Sequence, residues 1–110
     1  MKTVTVCAAR ALSAGGTWTS SAIHITSGWF WDWTIQVIVT GSGTLKLEFA
    51  TSLDGSNFVT NSTAICSTLA TASTPILYTP TIELAPWIKF ILTEDGTSDA
   101  LAATVIACYA

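Results

Sequence analysis

The chain has 110 residues, a formal net charge of −3, and eleven charged side chains (four basic, seven acidic) that make up 10% of it, against about 25% in an ordinary soluble domain. Half of the chain is hydrophobic, and eleven serines and nineteen threonines supply most of its polarity. That balance disfavours nucleic-acid binding, which needs a basic footprint, a membrane-surface helix and intrinsic disorder.

The length fits one domain, residues 1–110, able to bury roughly 65% of its unfolded surface without disulfides or metal. The charge-free interval between Asp54 and Glu83 is rich in Ser, Thr, Asn and Pro, whereas a helical span needs about 20 mostly apolar residues. Met1 to Val6 lacks the apolar stretch of a secretory signal, so the expectation is synthesis and folding in the cytoplasm. Cys7, Cys66 and Cys108 have neither even number nor metal-ligand spacing and read as free, small apolar thiols. If the terminal strands pair, Cys7 and Cys108 can face each other.

Along the chain, apolar and polar residues alternate with a period of two. Residues 3–8 form a first strand, with Val4, Val6 and Ala8 on one face. Residues 10–21 read as a loop broken at Gly15-Gly16, and 22–25 as a short strand. From Trp29 to Thr40, one face carries Trp29, Trp31, Trp33, Ile35, Val37 and Val39. Gly41-Ser42-Gly43 predicts a tight hairpin into a strand over 44–51, in which Leu45, Leu47 and Phe49 oppose Thr44, Lys46 and Glu48. Asp54 to Asn57 is a turn before Phe58-Val59.

Residues 60–75 are ambiguous, with a short strand around 64–66. Pro75 and Pro80 bracket Ile76 to Tyr78, which suits an edge strand because proline cannot donate to a central ladder. Ile82 and Leu84 lead to Pro86. Strands follow over 87–92 and 101–109, separated by a turn from Glu94 to Asp99. No helical stripe survives three turns. The pattern predicts an all-β fold, an antiparallel β-sandwich or jelly roll of seven to nine strands.

A two-sheet sandwich has one core, so each strand needs one apolar face. Several strands exceed that need: Trp87 and Ile91 flank Lys89 on the second face of one, Ile106 lies on the second face of another, and Phe30 and Ile38 project away from the Trp face. With Trp18 in its Gly/Ser/Thr-rich loop, these residues are the candidate interface with other chains. The competing reading folds segments 10–21 and 60–75 over the same faces within one chain.

Chemistry finds little support. The single histidine, His24, opposes Ile23 and Ile25 and has no nominated nucleophile or orienting partner. No metal-ligand pair is recognisable. The carboxylates Asp32, Glu48, Asp54, Glu83, Glu94, Asp95 and Asp99 nominate no glycosidase pair. Asp95, Thr97 and Asp99 place oxygens at alternating positions that suit calcium, but the full loop pattern is missing and Asp-Gly is itself a turn signal. Neither a cofactor nor catalysis is expected. The tryptophans leave a carbohydrate-binding module as a rival, through Trp18 or Trp29.

Thr51-Ser52-Leu53-Asp54-Gly55-Ser56-Asn57-Phe58, then Ala85 to Thr97 and Ala100 to the end, resemble a turn and a closing hairpin of small β-sandwich virion proteins of tailed phages, over about a third of the chain. The resemblance implies a non-enzymatic role as a decoration, cement or minor capsid protein located in the virion. It also implies partners among its own copies and a major capsid or other virion protein. A tail or filament subunit is the further alternative. No functional residue is carried over, because the matching positions are turn and core positions.

Overall fold

In the computed structural model, residues 2–25, 33–61, 66–70, 76–79, 86–96 and 99–109 are described. They are all-β. The strands are β1 (Lys2–Leu12), β2 (Thr17–Thr19), β3 (Ile23–His24), β4 (Trp33–Gly41), β5 (Thr44–Ser52), β6 (Val59–Thr60), β7 (Cys66–Ala70), β8 (Ile76–Tyr78), β9 (Trp87–Glu94) and β10 (Leu101–Tyr109). They form two antiparallel sheets. One runs β1-β10-β4-β8, and the other runs β2-β9-β5-β6, with β3 also on β9 and β7 also on β5.

Two pairs of short strands are pieces of one position. Strands β2 and β3 lie successively along the same edge of β9. Ser20 bridges them: its amide donates to Phe90 O and its Oγ accepts from Phe90 N, both at 2.9 Å, so the ladder continues through a side chain. Likewise β6 and β7 lie along the far edge of β5. Counted by position among the described residues, the four-stranded sheet (β1, β10, β4, β8) and the six-stranded sheet (β2, β3, β5, β6, β7, β9) each have four places. In chain order of positions the sheets read 1-8-3-6 and 2-7-4-5, one long antiparallel hairpin rolled into a sandwich. That is the jelly-roll order.

This topology corrects two expectations. Gly41-Ser42-Gly43 does not close a hairpin, because β4 and β5 belong to different sheets; nor do β9 and β10 form a closing hairpin. Both turns are arches across the sandwich. Turn chemistry specifies a reversal, and both strands of each pair bury an apolar face, which an arch satisfies as well as a ladder does. The two arches then hold each other, with Ser42 N and Gly43 N donating to Ala100 O at 3.2 and 3.1 Å.

A third correction concerns residues 10–21. Strand β1 continues to Leu12, and Thr17–Thr19 is a strand. Register shifts between Thr5 and Cys7 and between Cys7 and Arg10, with Ala9 at φ 47°, reset the alternation. Those bulges hide the period of two from a linear reading. The edge position of Ile76–Tyr78 matches the expectation from the flanking prolines, since among the described residues β8 pairs with β4 alone.

The core lies between the four central strands. Ile35, Val37, Val39, Ala103, Val105 and Ala107 face inward from one sheet. Leu45, Leu47, Phe49, Ile88, Phe90 and Leu92 face inward from the other. Small and β-branched side chains from one sheet thus oppose larger ones from the other, the volume alternation that fills a core without voids.

Candidate interaction surfaces

The outer faces of the two sheets differ in chemistry. On the four-stranded sheet, register sets Ile106 between Thr5 and Gln36, with Leu77 beyond Gln36. The adjoining rows join Ile38 to Thr104 and Thr3 through Cys108 to Thr34. Ile38, Ile106 and Cys108 are half-buried, while Leu77 is 69% exposed. No described charged side chain lies on this face. Lys2 takes the alternate parity to Thr3, and Arg10 turns across the sandwich edge to place its guanidinium 5.1 Å from the Trp18 ring centroid.

The six-stranded sheet carries the charges. Lys46 and Glu48, both half-buried, form an ion pair at 3.8 Å, open enough to solvent to contribute only about 0–1 kcal/mol. Beside them lie Ile91, Lys89 and Trp87, all half-buried. The segment after β5 folds over this face. Lys89 Nζ sits 4.3 Å from the Phe58 ring centroid, and a Cβ on Gly55 would come within 2.8 Å of Trp87 Cε2. His24 covers Trp87 as well, with centroids 4.0 Å apart and planes 2° apart. Trp87 is therefore packed within its own chain instead of presenting a bare ring.

Asp54 organises that covering loop. Its Oδ1 accepts from Ser56 N and Asn57 N, both at 2.9 Å, and from Ser52 Oγ at 2.8 Å; its Oδ2 accepts from Asn57 Nδ2 at 2.7 Å. These donors, the Asn57 amide first among them, hold the exposed carboxyl well below the usual aspartate range. Ser52 Oγ in turn accepts from Gly55 N at 3.0 Å and Asp54 N at 3.2 Å.

At one end of the sandwich, Glu94 is buried, 1% exposed. Its Oε1 accepts from Gly15 N at 3.0 Å; its Oε2 accepts from Thr44 N at 2.9 Å and Gly96 N at 2.7 Å. One carboxylate thus joins the β1–β2 turn, the β4–β5 arch and the start of the β9–β10 arch. In the linear sequence Glu94 reads as a turn acid. The signal was its parity: it follows Ile88, Phe90 and Leu92 on the inward face.

A cleft of about 260 Å³ lies between the edge strands β1 and β2/β3, lined by Val4, Val6, Trp18, Ile23 and the hydroxyl residues Thr5, Ser20 and Ser21. Trp18 is half-buried and packs against the core there, so it is not a free-standing anchor. The six interface candidates divide accordingly. Ile38 and Ile106 share the uncharged face, Trp87 and Ile91 share the charged one, Trp18 lies at the edge, and Phe30 falls outside the described residues.

Two further expectations separate. The terminal strands do pair, yet Cys7 and Cys108 do not meet: Cys7 opposes Val105 and faces inward, while Cys108 opposes Thr3 and faces outward. Strict alternation along β1 would leave Cys7 on the outer face with Thr3 and Thr5; the bulge between Thr5 and Cys7 turns it inward. Both are free thiols, and burial pushes that of Cys7 up. Asp95 and Asp99 are exposed, and Thr97 lies outside the described residues. Among the described residues no three His, Cys, Asp or Glu side chains gather as a metal set. Trp29, Trp31 and Asp32 also lie outside them.

No family model and no curated protein matches the sequence. Solved structures do match in fold. The infectious bursal disease virus Gt strain structure aligns with a TM-score of 0.66 at 15% identity, over 96% of this chain and 30% of that one. The infectious bursal disease virus VP2 subviral particle gives 0.65 at 17%, over 96% and 31%. PirA gives 0.56 at 10%, over 91% of this chain and 89% of that one. The chain thus spans about a third of the length of the viral capsid chains it resembles and nearly the whole of PirA.

Proposed function

We propose that this chain is a non-enzymatic structural subunit of a viral particle, a capsid decoration, cement or minor capsid protein of a tailed phage. It assembles with its own copies and with a larger shell protein. The observation that carries this reading is the outer face of the four-stranded sheet, on which no described side chain is charged. On a chain of net charge −3, copies repel except where such a face lets them approach, and subunit joins favour low charge at their centres. The likeness to capsid chains supports it at the level of fold. The jelly roll also serves lectins and other proteins, so the face and not the topology carries the assignment.

The carbohydrate-binding alternative finds less support at Trp18, which packs against the core; its other residue, Trp29, lies outside the described residues. Sedimentation over rising concentration tests the proposal. The expected result is self-association that Ile106→Asp weakens while leaving the melting transition in place. A wild-type chain that stays monomeric at high concentration, and is missing by mass spectrometry from purified particles of the virus encoding it, overturns the reading.

A further inference from the structure

The chain contains two Asp-Gly pairs, Asp54-Gly55 and Asp95-Gly96. Such pairs are chemically fragile because glycine has no Cβ to shield its nitrogen. The glycine nitrogen attacks the aspartate Cγ, an N–Cγ bond forms, and the Cγ–OH bond breaks. Water leaves with the carboxyl oxygen, the carboxyl proton and the amide proton. The resulting succinimide takes water back across one of its two C–N bonds, and opening on the Cα side reroutes the main chain through Cβ and Cγ. No atom is gained or lost overall. A protonated carboxyl, a leaving oxygen free of its donors and a glycine nitrogen free to approach each speed the reaction, and a site where both reactants are held is slower than one where only one is.

The fold treats the two pairs differently. At the first, both reactants are held. Gly55 N is tied to Ser52 Oγ at 3.0 Å, and the Gly55 backbone is seated against the Trp87 ring. Four donors from Ser52, Ser56 and Asn57 occupy the Asp54 oxygens and keep the group ionised. At the second, only the nitrogen is held, Gly96 N donating to Glu94 Oε2 at 2.7 Å. Asp95 is exposed, its amide donates to Thr44 O at 2.8 Å, and its carboxyl meets no donor among the described residues.

We infer that Asp95 is the position at which the folded chain acquires isoaspartate, and that Ser52 and Asn57 keep Asp54 inert. The consequence is local to the arches. An extra main-chain carbon at residue 95 moves the Gly96 amide away from Glu94, which also holds the Gly15 and Thr44 amides.

The test is ageing of the folded protein at 37 °C, with peptides located by electron-transfer fragmentation, since the product has unchanged mass. A urea-unfolded sample is aged in parallel. Isoaspartate is expected several-fold faster at 95 than at 54 in the folded protein, and at comparable rates in urea. Asn57→Ala, at an exposed loop position, is expected to raise the rate at 54 several-fold and leave 95 unchanged; Ser52→Ala should do the same. Equal rates at the two positions in folded wild type, no conversion at 95 once the urea sample has converted, or no effect of Asn57→Ala at 54, each overturns the inference.

Discussion

Glu94 Oε2 accepts the Thr44 amide at 2.9 Å across fifty residues of chain, fixing the β4–β5 arch to the end of β9. With Gly15 and Gly96 on the same carboxylate, Glu94→Ala strips an acceptor from three backbone donors at once. An unsatisfied buried donor costs about 1–3 kcal/mol, and here Gly15 and Gly96 are exposed enough for water to replace part of the loss. The expected destabilisation is about 2–4 kcal/mol, a fall in Tm of roughly 10–20 °C for a domain of this size. Glu94→Gln keeps one oxygen and should lose less. Calorimetry checks both, and an Ala variant within a degree or two of wild type refutes the latch.

Much of this was open to a linear reading, and the exceptions have physical causes. Alternation placed the inward residues of β4, β5, β9 and β10, and Pro75 and Pro80 marked an edge strand. What alternation cannot encode is which sheet a strand joins, so the turns at Gly41 and Glu94 looked like hairpins. Bulges erased the period in β1, and Ser20, acting as a backbone substitute, split one edge position into β2 and β3. The stack of His24 on Trp87 depends on the β3–β9 register, which pairs these two residues across more than sixty residues. The Asp54 turn was legible as a turn, while its role in seating Gly55 on Trp87 needed the third dimension.

Gly15 and Gly55 separate backbone strain from packing. Both have positive φ, +70° and +80°. A Cβ on Gly15 meets nothing within 4 Å, whereas one on Gly55 drives into the Trp87 ring. Gly15→Ala should therefore cost about 1–2 kcal/mol, the left-handed strain alone. Gly55→Ala adds the overlap and should cost about 2–4 kcal/mol, while shifting the tryptophan emission as Trp87 leaves His24. Urea midpoints at constant m-value give the comparison. Equal losses with unchanged emission contradict the seating of Gly55 on the ring.

The cysteines provide a chemical test of the β1–β10 register. Cys7 faces the core, with its Sγ 3.4 Å from Ala103 O, and Cys108 lies on the outer face. Burial raises the Cys7 thiol above its ordinary range, so the folded chain holds that proton to higher pH. The associated stability is intact below about pH 8.5 and is lost as pH rises past it. Iodoacetamide at neutral pH should label the Cys108 peptide in the native protein and the Cys7 peptide only on unfolding. Comparable labelling of both in native protein contradicts the register.

Asp54 sets an acid limit on the loop covering Trp87. Its carboxyl titrates well below the usual aspartate range because Asn57, Ser56 and Ser52 donate to it. A depressed folded value means that the unfolded chain binds the proton first as pH falls. The stabilisation is therefore complete above the ordinary value of about 4 and fades as pH drops from there toward the folded value. Asp54→Asn, which has no charge to lose, should be less stable than wild type at pH 6. The two stabilities should converge as pH falls from about 4 to 2. Urea midpoints measured across that window, with exchange protection of the Ser56 and Asn57 amides as a local readout, decide the matter. A gap that stays constant from pH 6 to pH 2 would show that the Asp54 charge contributes nothing to the loop.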